Sequence, residues 1–303
     1  MEFLPNGVIN TIKEFIIFKP KTKKELKTAV DLWSDNKDQA LSIYGDISLW
    51  DTSLITDMSR LFVKCDNILF DIFDSFNDNI NSWNVSNVTN MESMFYDCRY
   101  FNQPLNNWDV SNVTNMDSIF HHCNDFNQDI SSWDVSNVKN MNSMFEECFN
   151  FNQNLNDWDV SNVNDMSGLF FCAFNFNQPL NDWDVSNVND MYYMFYRSKI
   201  FNMPLNNWDV SNVIDMGNMF YETLYFNQPL NDWDVSNVLS MRFMFCGSEK
   251  FNQPLNKWDV SNVLHMEYMF SNSDNFDQSI DEWEINRNCD TTRIFYYELP
   301  YTL

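Results

Sequence analysis

Apolar positions recur along this chain at a fixed interval rather than in the mixed runs of an ordinary globular domain. Trp stands at 83, 108, 133, 158, 183, 208, 233, 258 and 283, each 25 residues from the last. Phe keeps the same interval from Phe76 to Phe276, and Met from Met91 to Met266. One such unit cannot bury its own apolar face, so consecutive units must stack and share a core. Frayed copies flank the regular ones. "IYGDISLWDTSLITDMSRLF" carries Trp50 in the Trp position, 33 residues before Trp83, which leaves eight extra residues between them. "FDQSIDEWEINRNCDTTRIF" replaces the Val and Met positions by Asn288 and Thr291. Ten rungs result, the outer two reading as caps.

Within the copy Pro104 to Gln128, Trp108 and Val110 alternate around Asp109, which predicts a short extended strand that also takes in Leu105. Val113, Met116, Ile119, Phe120 and Cys123 then follow at steps of three and four, the spacing of an amphipathic helix face. Ser111 stands where an N-cap would, and "NDFNQ" turns the chain back. The expectation is an α/β stack of strand, turn and short helix. Parallel strands pack about 4.8 Å apart and helices about 8–10 Å, so the stack should curve, with a parallel β-sheet on its concave face.

The unit "FNQPLNNWDVSNVTNM" resembles the 25-residue repeat of BspA-like leucine-rich-repeat proteins, over about Leu41 to Phe295. That family is found as mycoplasma surface proteins and as multicopy families in giant viruses. The resemblance implies a non-catalytic leucine-rich-repeat solenoid, often tied to adhesion or host interaction. Residues 1–40 form an N-terminal segment and 41–303 the repeat array: a degenerate first rung at 41–65, an insertion around 66–75, regular rungs over 76–275 and a capping rung at 276–303. "TKKELKTAVDLW" predicts a helix capped at Thr22, with Leu26, Ala29 and Trp33 on the face that covers the first rung. Lys19, Lys21, Lys23, Lys24 and Lys27, the basic cluster of the chain, read as its solvated start.

Charge narrows the partners. With 18 basic and 43 acidic residues the chain carries a net charge of −25, which repels phosphate backbones and anionic lipid and favours a basic protein partner. Neither nucleic acid binding nor membrane insertion is expected. The N-terminus has no basic leader and Lys13 and Glu14 interrupt its apolar run, so the expected location is intracellular, with display on a virion the alternative. Seven cysteines (65, 98, 123, 148, 172, 246 and 289) form no CxxC pair; zinc is not expected, and Cys98, Cys123 and Cys148, in one phase with Cys65, read as buried thiols.

The aspartates of "WDVSNV" make the candidate site: Asp109, Asp134, Asp159, Asp184, Asp209, Asp234 and Asp259 fall in one column. Neighbours at about 4.8 Å in water repel by about 0.9 kcal/mol. Two compensations are open. Each carboxylate could accept backbone N–H groups from the turn that follows it, a role Asn84 could keep and Glu284 could not. Alternatively the column is an acidic stripe for a partner, widened by Asp157, Asp182, Asp232 and Glu282 and interrupted by Lys257. Calcium is disfavoured, since "WDVSNV" has no glycine for a coordinating loop. His121, His122 and His265 have no designated nucleophile beside them, and the first two, adjacent on a predicted helix, should point apart. The sequence therefore points to a non-enzymatic interaction scaffold without cofactors, with a surface or virion adhesin as the alternative and a glycan-processing enzyme as an outsider.

Overall fold

The computed structural model describes residues 17–63 and 76–296; Cys65 and the expected insertion lie outside them. The helix expected after Thr22 is present. Helix α1, Lys23–Asp35, is capped by Thr22, whose side chain accepts the Glu25 N–H, and it buries Leu26, Ala29, Val30 and Trp33. Helix α2, Lys37–Tyr44, follows at once, capped by Asn36. Trp33 reaches the array edge-on to Trp50, with ring centroids 5.8 Å apart, and donates its indole N–H to Asp78 at 2.8 Å. Three of the clustered lysines are anchored: Lys19 to Asp51 at 2.7 Å, Lys23 to Asp57 at 3.0 Å, and Lys27 to Asp31.

The repeats stack in register. Trp108 and Trp133 lie 6.4 Å apart with rings 2° from parallel, and Trp208 and Trp233 repeat this at 6.3 Å and 3°. Phe95, Phe120 and Phe145 form a second file at 5.6 and 5.9 Å. Trp, Val, Met and Phe of every regular rung are buried.

The secondary structure corrects the expectation of strand–helix rungs. Among the described residues the only helices are α1, α2 and a 3₁₀ turn at Ile47–Leu49, all before the regular rungs. Nor is there a β-sheet among the described residues: successive rungs share one single-residue parallel bridge each, such as Asn90 to Asn115 and Asn115 to Asn140. The array is therefore not a leucine-rich-repeat-like stack. Where a helix was expected, the chain runs as consecutive tight turns. The N–H groups of Met94, Tyr96 and Cys98 bond the carbonyls of Met91, Ser93 and Phe95 in the same rung. Between them, Met91, Ser93, Phe95 and Asp97 donate to Asn115, Asp117, Ile119 and His121 of the next rung at 2.8–3.0 Å. Alternate amides thus close local turns and tie rungs together, always from an earlier donor to a later acceptor on this side.

The break in the helix is a residue with positive φ, twice per rung: Ser93 and Asp97, Ser118 and His122, Tyr193 and Arg197. A left-handed residue forbids both a continuous helix and an extended strand. The physical reason for the correction is spacing. Helices packed side by side need about 8–10 Å, whereas a rung bonded through its backbone to the next advances about 4.8 Å. A wall of turns lets each rung bond its neighbour through the backbone, with like rings 4.7 Å apart on the wall (Tyr196 and Tyr221) and 6.4 Å apart in the Trp file (Trp183 and Trp208).

Candidate interaction surface

Asp109 sits between two tight turns, one closed by the Trp108 N–H on Leu105 and the other by the Val113 N–H on Val110. With Trp108 and Val110 turned into the core, the aspartate faces solvent, and all seven members of the column are exposed. Each carboxylate folds back on its own rung through one oxygen. Oδ1 of Asp109 accepts the Ser111 N–H at 3.1 Å and the Ser111 hydroxyl at 2.6 Å. Asp134, Asp159, Asp184 and Asp234 do the same with Ser136, Ser161, Ser186 and Ser236. Asp209 and Asp259 accept the N–H of Ser211 and Ser261. These bonds hold the carboxyls of Asp134, Asp209 and Asp259 below the usual carboxylate range, the serine hydroxyl contributing most and the serine N–H next.

Of the two compensations, the local one is present. Asn84 makes the same turn with Ser86, as does Asp51 with Ser53. In the last rung, with Glu284 at this place, the Ile285 N–H bonds the Trp283 carbonyl instead. Ser111 is not a helix cap; it is the donor that completes the aspartate's turn. The widening positions are also placed: Lys257 pairs with Asp232 at 2.7 Å, and Asp182 accepts from the Asn156 amide at 2.6 Å.

Other columns hold the rungs together. Asn112 donates its side-chain amide to the Ser86 carbonyl, and Asn137 to Ser111. Asn102 accepts from the Asn127 N–H while Asn127 accepts from Asn152. Cys123 and Cys148 are buried and donate their thiols to the Phe95 and Phe120 carbonyls; burial first of all pushes both thiols well up from their ordinary range. In later rungs Ser198, Thr223, Ser248 and Ser273 make the same contact through a hydroxyl.

Two features escaped sequence reasoning. A second file of Asn and Asp, one residue after the exposed Thr114 position, also caps its own turn: Asn115 accepts the Asp117 N–H, Asp165 the Ser167 N–H and Asp190 the Tyr192 N–H. Burial, with Asp165 and Asp215 on either side, raises the Asp190 carboxyl. The "NM" and "DM" pairs one residue after most "WDVSNV" units were the signal for it, with Ser240 and His265 taking the place in the rungs of Trp233 and Trp258. The histidines, secondly, do not diverge. His121 and His122 lie on turns with ring centroids 4.4 Å apart, His121 near Glu146 at 3.4 Å and His122 between Glu147 at 2.9 Å and Asp97 at 3.3 Å. Among the described residues no group of three or more His, Cys, Asp or Glu is arranged to hold a metal ion, and no helix is long and apolar enough to cross a membrane.

Fold and surface together define a repeat protein whose variable and charged side chains are displayed on a near-invariant stack. The chain belongs to the family described as "Mycoplasma protein of unknown function, DUF285", whose model matches residues 33–148, 65–170, 123–227 and 202–300 in overlapping copies. The match reaches that repeat family and not the BspA-like leucine-rich-repeat group. Searches of curated proteins and of solved structures return no match.

Proposed function

We propose that this chain is a non-enzymatic repeat scaffold that binds a basic partner protein through the aspartate face formed by Asp109, Asp134, Asp159, Asp184, Asp209, Asp234 and Asp259. The observation that carries the reading is the division of labour within each carboxylate. Oδ1 is committed to the rung's own turn, while Oδ2 makes no hydrogen bond among the described residues and faces solvent. A guanidinium or ammonium can therefore approach without dismantling the fold, and a row of such oxygens attracts cations over the length of the array.

The test replaces all seven aspartates by asparagine, which keeps the turn acceptor and removes the charge. Affinity purification with mass spectrometry on both forms should recover basic proteins with the native chain and lose them with the variant, at matched melting temperature. An unchanged set of partners would overturn the reading.

A further inference from the structure

The exposed position just before the second Asn/Asp file runs Thr89, Thr114, Lys139, Asn164, Asn189, and then Ile214, Leu239, Leu264. Five consecutive rungs fill it with polar residues, so the fold itself places no apolar demand there. The three aliphatic members nevertheless stay in water, at 49%, 42% and 37% exposure. They also stand directly in file. The Leu239 N–H bonds the Ile214 carbonyl at 2.9 Å and the Leu264 N–H bonds the Leu239 carbonyl at 2.8 Å. Asn212, Ile214, Asn237 and Leu239 line an open groove across two of these rungs.

Charge and spacing choose the occupant. Five residues before each member of the stripe stands an exposed aspartate of the first column, Asp209, Asp234 or Asp259, and Asp215 adjoins Ile214 directly. An apolar strip on rungs that also display those carboxylates complements a segment that carries both aliphatic residues and Lys or Arg. Rungs present one side chain about every 4.8 Å. A helix laid along the stack presents one per turn, about every 5.4 Å, and over three rungs slips by about 1.2 Å. An extended segment presents same-face residues about every 6.7 Å and slips by about 4 Å. Only the helix keeps its apolar side chains over the stripe.

We infer that Ile214, Leu239 and Leu264 form the apolar seat for a basic amphipathic helix lying along the stack, on the rungs that display Asp209, Asp234 and Asp259. This deepens the proposed function and rests on it, placing the partner's contact in the later rungs.

The test measures fluorescence anisotropy at low salt with two labelled peptides of leucine and lysine, equal in composition, one patterned as an amphipathic helix and one scrambled. The native chain should bind the patterned peptide at least about tenfold more tightly, a gap of the size three part-buried aliphatic side chains supply. The triple variant Ile214→Asn, Leu239→Asn, Leu264→Asn copies the residue found at Asn164 and Asn189 and so keeps the fold; it should lose that gap and retain the weak, salt-sensitive binding of both peptides. Equal affinity of the native chain for the two peptides, or a gap that survives the triple variant, overturns the inference and leaves the acidic-face reading standing. No binding of either peptide overturns both. A dimer in sedimentation that the triple variant dissociates would give the stripe to a second copy and overturn the helix.

Discussion

The indole N–H of Trp183 donates to the backbone carbonyl of Leu155, 28 residues earlier, at 2.8 Å. Every regular rung repeats this bond, from Trp108 on Ile80 to Trp283 on Leu255, so the largest core side chain is also a polar tie to the rung before it. Trp183→Phe would remove that tie and leave a void among stacked rings. It should destabilise the chain by about 1–3 kcal/mol, read from urea unfolding followed by far-ultraviolet circular dichroism. A change of a few tenths of a kcal/mol would show that neither the tie nor the lost ring area contributes appreciably.

The aspartate turns predict an ordered pair of effects at Asp184. Asp184→Asn keeps the acceptor for the Ser186 N–H and should stay within about 1 kcal/mol of the native chain, whereas Asp184→Ala should cost more, about 1–2 kcal/mol, in the same unfolding measurement. Equal losses from both would mean that charge, not capping, holds the column.

Acid should loosen the array. The carboxyls of Asp134, Asp209 and Asp259 lie below their ordinary range because of their serine partners, and Asp51 is held at about 2, first by its bond from Lys19. Between the folded and unfolded values the native state binds fewer protons, so these groups contribute stability that is complete above about pH 4 and fades as pH falls through their folded values. Asp190, raised by burial, works the opposite way, contributing stability at low pH that is lost as pH rises through its folded value. The lowered carboxyls, which include Asp46, Asp57, Asp129 and Glu146 as well, outnumber the raised Asp190, so the midpoint of thermal unfolding should fall from pH 4 towards pH 2; a flat profile would contradict the turn geometry.

Thiol chemistry separates the cysteines by rung. Cys98, Cys123 and Cys148 are fully enclosed, whereas Cys289 is part-exposed. Brief labelling of the native chain with a maleimide, followed by peptide mass mapping, should modify Cys289 and spare the other three until denaturant is added.

A glycine tests the turn wall. Gly168 has φ +62°, and a Cβ built on it would lie 2.9 Å from Ser143 Oγ. Gly168→Ala should cost about 1–2 kcal/mol, since a left-handed backbone now carries a side chain; a neutral result would mean that the wall relaxes locally.

The stacking, the buried Trp, Phe and Met files, the capped α1 and the aspartate turns are all legible in the sequence, because each follows from one period and from side chains with a single strong preference. The turn wall is not, because Val113, Met116, Ile119, Phe120 and Cys123 fall at steps of three and four in a chain of tight turns just as in a helix. The feature that separates the two is backbone handedness at Ser118 and His122, which neither side chain advertises. A faint signal does exist: Gly168 falls in the file of Ser118 and Ser143, and Gly247 in that of His122 and Glu147, and both glycines have positive φ. The paired histidines were misplaced by the same assumption of a helix.

The forward direction of the wall's hydrogen bonds has a consequence for growth of the array. Met91 gives its amide to Asn115 as Met116 gives its own to Asn140 and Met141 to Asp165, so every interior junction is chemically the same joint. Removing one whole period therefore brings together two surfaces that already fit, whereas removing half a period sets the Trp, Met and Phe files out of register. Length in this protein is quantised, and duplication or loss of a single rung is the mutation it tolerates best.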